Sequence, residues 1–491
     1  MIPATSVGEP RLGGIRRLTA LTGARRANLR KVRDIKALGS NPRVGSRWMP
    51  ARTAATSGTS AVASRTAVVR AATLSVSEGE GPLEARAAPE SPEAPEKHLE
   101  GLSTMQQSER RGLEGGRHGD GEVGVQRVMV AGGSGNAGRH IVALLAEHSE
   151  ADIIVGGRDE QRARASVHAL RDRYPRRRLS VRRIDLTDTA GLERELSDID
   201  LIIVAAGTAP TAPAVARCCL AAGCDYLDIQ VSGAKEQRLR QLDESARKAG
   251  GRIVTDGGFH PGLPGAMVRH VAERVPGLSQ AFVSSVIAQD WRALQTLSQS
   301  TVAELMAEFR DFSFEEYRSG RWHPARGVRK VDFPAPFAQR KCSAMGLAEM
   351  HAVCGVLPGL RDAGFYVGGF NPVVDRAVIP ACWAGMKVAP DLLERPLGTL
   401  MYWALRRFST PPFGTVLQLD GAAHNGRLRP LMRVSHPDGY FMTAAPTVAA
   451  ALQILDRTID APGVHLQAMA VAHERFFVDL ARFGVSVEVL T

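Results

Sequence analysis

The run Arg127-Val128-Met129-Val130-Ala131-Gly132-Gly133-Ser134-Gly135-Asn136-Ala137-Gly138-Arg139-His140-Ile141 decides the fold class. A short apolar stretch passes into the spacing G-x-G-x-x-G and then into a helical pattern of Ile141, Val142, Leu144 and Leu145. Strand, turn and helix in that order are the context in which this spacing has a mechanism. Gly133 permits the tight turn, Gly135 lets the backbone approach a pyrophosphate, and Gly138 lets the helix pack closely on the strand. Ser134, Asn136 and Ala137 complete the turn at a helix N-terminus, whose free N–H groups and positive dipole end favour phosphate. The alternative is a glycine turn in a doubly wound domain that binds no nucleotide.

Outward from this run, short apolar segments alternate with longer amphipathic ones. Val128–Ala131, Ile153–Val155, Val181–Ile184, Leu201–Val204 and Ile253–Val254 are predicted as buried strands. Arg139–Glu147, Glu160–Tyr174, Ala190–Leu196, Ala212–Ala222 and Lys235–Lys248 are predicted as helices. This alternation predicts an α/β class: a Rossmann doubly wound parallel sheet over residues 126–262. Beyond Pro261 the pattern loses regularity and gains Pro- and aromatic-rich stretches, which suits a second, mixed α/β substrate domain over 263–442. Thr447–Leu455 and His473–Phe483 read as helices in a closing segment, 443–491.

The formal charge of +11 sits almost entirely in the leader. Residues 1–75 hold 14 Lys or Arg against Glu9 and Asp34, while the other 416 residues hold 48 basic and 49 acidic side chains. A near-neutral body has no footprint for a phosphate backbone, so nucleic acid is not an expected partner. Residues 1–125 carry a single aromatic, Trp48, and too little apolar surface to fold, so disorder is expected there. An Arg-rich, acid-poor start is the pattern of a plastid or mitochondrial transit peptide. A plain extension, an unused upstream start and a cytoplasmic protein remain the alternatives. The six cysteines, Cys218, Cys219, Cys224, Cys342, Cys354 and Cys382, show no zinc-type spacing, so no metal site is expected. No run of 18 uncharged apolar residues occurs, and no membrane span is expected.

The end of the second strand bears on which dinucleotide is held. NAD enzymes place a carboxylate about 20 residues on from the glycines to hold the ribose hydroxyl. This chain has Gly156-Gly157-Arg158-Asp159, with Arg158 20 residues after Gly138. A guanidinium there is suited to the 2′-phosphate of NADP(H), in a charge-assisted and bidentate contact. A solvated first-turn arginine is the competing reading, and Asp159 is expected to cap the next helix. Asp185, closing the third strand, either contacts the adenine or caps a turn. Ala206 and Gly207 follow the fourth strand at the carboxyl edge, where open α/β sheets bind ligands, and are assigned to the cofactor.

With these motifs the chain resembles the saccharopine dehydrogenase-like oxidoreductases. The resemblance rests on Ala131–Gly138, Val155–Asp159, Ala205-Ala206-Gly207, Cys224-Asp225-Tyr226-Leu227-Asp228 and Gly258–Pro264. It covers residues 126 to about 270, and the rest weakly through Gly327–Lys330 and Pro462–Val464. It implies NADP as cofactor, an inserted substrate domain, late helices returning to the Rossmann domain, and hydride transfer to or from a carbon bonded to nitrogen or oxygen. Departures occur at Gly207-Thr208-Ala209, at Ile229-Gln230-Val231 and at His260. They leave the cofactor motif intact.

Tyr226, Asp228 and His260 lie near strand ends on the cofactor side and are the candidate catalytic residues. A histidine there is suited to act as general acid, with an aspartate to orient it. The competing readings are a core ring, a turn cap and a loop histidine. Arg310, Arg329 and Lys330 are candidates for a substrate carboxylate or are solvated surface charges. The leading expectation is therefore an NADP(H)-dependent oxidoreductase acting on a small molecule, with a homodimer left open. The alternative is a catalytically inactive NADP-binding scaffold or redox sensor.

Overall fold

The computed structural model describes residues 125–292, 306, 313–424 and 426–491. The leader, with the transit peptide and disorder expected of it, and Arg310 lie outside the described residues.

Strands β1 (Arg127–Ala131), β2 (Asp152–Gly157), β3 (Leu179–Arg183), β4 (Leu201–Val204), β5 (Asp225–Asp228) and β6 (Arg252–Thr255) form a parallel sheet. A late strand, Gly463–Leu466, pairs parallel with β6, so the sheet has seven strands, with β3 and the late strand at its edges and β4 at its centre. Helices α1 (Asn136–His148), α2 (Glu160–Arg173), α3 (Leu192–Leu196), α4 (Ala212–Ala222), α5 (Gly233–Arg240) and α6 (Asp243–Ala249) connect the strands. Side chains alternate across a strand, and here both sides are buried. Val128 and Val130 join one core with Ile141, Val142 and Leu145 of α1. Met129 and Ala131 join the opposite core with Leu196, Val215 and Cys219.

Two local features differ from the expectation. Asp225–Asp228 is a fully buried strand although both its ends are carboxylates. Each carboxylate is paired inside the fold, Asp225 with Arg252 and Asp228 with Lys235. The helix expected across Lys235–Lys248 is two helices, with Gln241 and Leu242 lying between α5 and α6.

The second sheet is mixed and centres on β7 (Leu278–Ala288), which runs parallel to Asp362–Gly368 and antiparallel to Gly414–Ala423. Strands Gln339–Met345 and Val328–Asp332 extend it on one side, Arg429–His436 and Ser486–Val489 on the other. A hairpin, Glu315–Arg318 with Arg321–Pro324, pairs beside Asp362–Gly368. One face of β7 contributes Ala281 and Val283 to the same core that holds Val128 and Val130. Helix α7 (Leu263–Arg274), with Leu263, Ala266, Met267 and Val271 buried, lies in that shared core.

Helix Gly439–Leu455 packs along α1, its small residues Ala444, Ala445, Ala449 and Ala450 fully buried at that approach. Five of the six cysteines are buried, Cys218 is half-buried, and none is paired. Among the described residues no helix is long and apolar enough to cross a membrane.

Candidate functional site

The carboxyl ends of the parallel strands gather the sequence-predicted cofactor residues. The positive φ of the glycine turn sits on Gly132 (φ +86°), one residue before the G-x-G-x-x-G motif proper, and a Cβ there would stand 2.5 Å from the Ala205 carbonyl oxygen. Gly133 is required by space instead, since a Cβ on it would meet the Val130 oxygen at 2.9 Å. At Gly138 a Cβ would lie 2.1 Å from the Gly132 oxygen, which is why α1 can start directly against the turn. No side chain caps the α1 N-terminus, and no acid occupies its first turn. Its N–H groups therefore face an open edge with the positive dipole end unopposed. Ser134, Gly135, Asn136 and Ala137 are all half-exposed there.

Backbone bonds draw neighbouring turns to this one. The Gly132 N–H donates to the Gly156 oxygen at 2.8 Å, which brings in the end of β2. Arg158 is exposed beyond it, and Asp159 caps α2 by accepting from the Arg162 N–H at 3.0 Å. Asp185 is exposed and accepts from the Thr187 N–H and hydroxyl at 3.0 and 2.7 Å. Those two bonds, with smaller pulls from Arg158 and Arg183, hold its carboxyl below the usual range. Ala206 is half-exposed and Gly207 exposed at the end of β4. Tyr440, at the start of helix Gly439–Leu455, is hydrogen-bonded to Asn136.

Beneath the turns lies a cluster of buried polar groups. The Tyr226 hydroxyl donates to Asp228 Oδ2 at 2.8 Å. Lys235 Nζ donates to Asp228 Oδ1 at 2.6 Å and sits 3.0 Å from Asp256 Oδ1. The Thr255 hydroxyl lies 3.1 Å from both Asp228 oxygens. Tyr226, Asp228, Lys235 and Thr255 have no exposed surface. Burial, reinforced by Asp228, pushes the Tyr226 phenol well above its ordinary pKa, so it stays a neutral donor. Burial works against the Lys235 ammonium, but the two carboxylates outweigh it and raise its pKa. Burial lifts Asp256 to about 6 against the pull of Lys235. Lys235 Nζ and Gln230 Nε2 also donate to the backbone oxygens of Gln230 and Ala206, so the cluster grips the β5 and β4 turns together.

His260 stands apart from that cluster. Its ring is half-buried, lies against Phe259 and Phe365 with centroids at 4.2 and 5.5 Å, and its Nε2 has no hydrogen-bond partner. Burial pushes its pKa down to about 4, leaving a neutral imidazole near pH 7. Asp228 makes its bonds to Tyr226, Gln230, Lys235 and Thr255, none of them His260. Close by, buried Glu349 accepts from the Gly262 and Gly265 N–H groups at 3.0 and 3.2 Å and so caps α7 from the second layer. Burial lifts its carboxyl to about 8. In the second sheet, Arg329 lies 3.6 Å from Asp420 and over the Phe282 ring, while Lys330 is exposed.

Sequence reasoning missed Lys235, Asp256, Glu349 and Tyr440. Nothing in the spacing of the lysine and the two acids signals a buried pairing.

Residues 128–254 match the family model described as the saccharopine dehydrogenase NADP binding domain. No curated protein matches the chain. Among solved structures it is similar to apo histidine-tagged saccharopine dehydrogenase (L-Glu forming) from Saccharomyces cerevisiae. That likeness has 14% identity and a TM-score of 0.54 over 74% of this chain and 99% of the other. A second similarity is to DAP dehydrogenase of C. glutamicum in complex with DAP, at 14% identity and TM-score 0.35, covering 73% and 98% of the two chains. The uncapped helix end and the glycine turn both fall inside residues 128–254, the stretch that matches the saccharopine dehydrogenase NADP binding domain.

Proposed function

We propose that this chain is an NADP(H)-dependent oxidoreductase that moves a hydride to or from a carbon bonded to nitrogen or oxygen in a small metabolite. The observation that carries the reading is the carboxyl edge, where an uncapped α1 N-terminus, held against the ends of β2 and β4, offers its N–H groups to a pyrophosphate. Bound NADP(H) supplies or accepts the hydride. Arg158, exposed at the end of β2, holds the 2′-phosphate, with Asp185 on the adenine side. Ala206 and Gly207 line the ribose and nicotinamide half. In this reading residues 126–262 bind the cofactor, 263–442 the substrate, and 443–491 return to the first sheet through Gly463–Leu466 before Ser486–Val489 joins the second.

His260 handles the accompanying proton, because its Nε2 is the unpartnered ring nitrogen beside the strand ends. Tyr226 and Asp228 serve as positioning residues, acting through Lys235 and Gln230 on the Ala206 turn. A second reading, an NADP-binding scaffold or redox sensor without turnover, is favoured by that same locking of Tyr226 and Asp228 away from solvent. Sustained NADPH oxidation with imine or carbonyl substrates separates the two.

Cofactor choice is tested by titrating NADPH and NADH into wild type and Arg158→Ala. A charge-assisted contact contributes about 1.5–3 kcal/mol, so the variant is expected to lose roughly 10- to 150-fold in NADPH affinity with NADH unchanged. Equal wild-type affinities, or equal losses for both cofactors, overturn the assignment.

A further inference from the structure

Two histidines far apart in sequence meet where α7 crosses helix His473–Arg482. His270 Nδ1 and His473 Nδ1 are 3.4 Å apart, and Glu474 Oε1 is 3.9 Å from each. Both histidines are buried and Glu474 is exposed, so the trio opens to solvent on one side. The point equidistant from the three atoms lies about 2.2 Å from each, within reach of zinc–nitrogen and zinc–oxygen bonds of roughly 2.0–2.2 Å.

The surroundings orient all three donors. His473 Nε2 is 2.8 Å from Glu273 Oε1, so with its proton on Nε2 toward that carboxylate, Nδ1 carries the lone pair. Carboxylate, histidine and metal in line is the arrangement that fixes ring orientation and raises ligand basicity. Arg274 donates to Glu474 Oε2 at 2.5 Å and leaves Oε1 for a single metal bond. The Phe477 ring packs on His270 with centroids 4.7 Å apart, which restrains that imidazole.

We propose that His270, His473 and Glu474 form a binding site for a divalent transition-metal ion, Zn²⁺ first among them, with solvent as fourth ligand. Two imidazoles and one carboxylate suit zinc, cobalt or nickel and disfavour magnesium and calcium. The ion would clip the second half of α7 to the C-terminal helix across 203 residues of sequence and has no part in hydride transfer.

The test uses the full, tag-free chain stripped with a chelator, with Zn²⁺ binding followed by calorimetry and Co²⁺ binding by visible absorption. One equivalent is expected to bind with Kd of about 1 µM or tighter, with the intense absorption of tetrahedral Co²⁺ and a raised melting temperature. His270→Gln and His473→Gln are expected to abolish saturable binding. Glu273→Gln, at an exposed position, is expected to weaken it about 10- to 100-fold by removing the orienting carboxylate. Glu474→Gln, also exposed, decides the matter if the buried histidine variants fail to fold. No saturable binding to wild type, or Glu273→Gln and Glu474→Gln variants that bind as tightly as wild type, overturns the proposal.

Discussion

Lys235→Met is the most informative single change to the buried cluster. Methionine matches the lysine stem in length and keeps the apolar contacts, so what is removed is the ammonium between Asp228 and Asp256. Removing one partner of a fully buried ion pair typically costs about 3–5 kcal/mol, because the remaining charge is left desolvated and unpaired. That is a large share of the stability of an ordinary domain, and on the order of 10 °C in melting temperature. With the ammonium gone, burial and the neighbouring Asp228 charge act on Asp256 without its opposing partner, and the pKa of Asp256, already lifted to about 6, is driven higher.

The pH dependence separates this cause from a packing defect. A carboxyl whose folded pKa lies above its unfolded value keeps a proton that the unfolded chain releases, so stability is full at low pH and falls as pH rises through the folded pKa. One such proton changes stability by about 1.4 kcal/mol per pH unit. Between pH 6 and pH 8 the variant is therefore expected to lose up to about 3 kcal/mol relative to wild type, and to be close to wild type at the lower pH. Urea unfolding of both proteins at pH 6 and 8 measures it. A deficit of equal size at both pH values refutes the electrostatic cause, and no deficit at pH 8 refutes the importance of the pair.

Gly138→Ala places a Cβ 2.1 Å from the Gly132 oxygen, so the turn must shift and NADPH affinity is expected to fall at least about 10-fold; unchanged fluorescence titration counts against it. His260→Gln is expected to cut turnover by about 10²–10⁴ with NADPH affinity kept, once a substrate is in hand. Equal turnover removes His260 from the mechanism. Glu349, lifted to about 8, contributes a fall in stability of up to about 1.4 kcal/mol per pH unit between about pH 5 and 8, and Glu349→Gln removes that contribution; identical slopes in urea unfolding refute it.

The parallel sheet was legible because its evidence is local. Val128 to Ala131 are apolar on both faces, and the glycines that follow are fixed by distances within a dozen residues. β5 was hidden for the opposite reason: it is bounded by Asp225 and Asp228, whose partners Arg252 and Thr255 each lie 27 residues on. Gly132 shows a finer limit, since the motif names Gly133 for the tight turn while the left-handed backbone falls one residue earlier. His270 and His473 carry no spacing signal, and the sequence accordingly gave no reason to expect a metal there. The expected role of Asp228 as the orienter of His260 rested on shared strand-end position, and position alone does not set partners.

The buried cluster reaches the cofactor edge through the Ala206 turn, and further polar contacts fix the turns beside it. Gly132 binds the Gly156 oxygen; Gln230 holds the Ala206 oxygen; Lys235 holds Gln230 and stands between Asp228 and Asp256; the Gly257 N–H returns to the Asp228 oxygen at 2.8 Å. Gln467 accepts from the Gly258 N–H, and Glu349 accepts from Gly262, so these contacts extend to elements outside the first six strands. Most of these contacts end on backbone atoms, so they fix the turns themselves. Low local dielectric strengthens each contact and makes a missing partner costly, so the turns are held in place before any ligand arrives. Loss of activity in Tyr226 or Asp228 variants would therefore not identify a catalytic acid. Displacing the Ala206 turn lowers NADPH affinity along with turnover, whereas removing a proton donor lowers turnover alone, and only that split distinguishes the two.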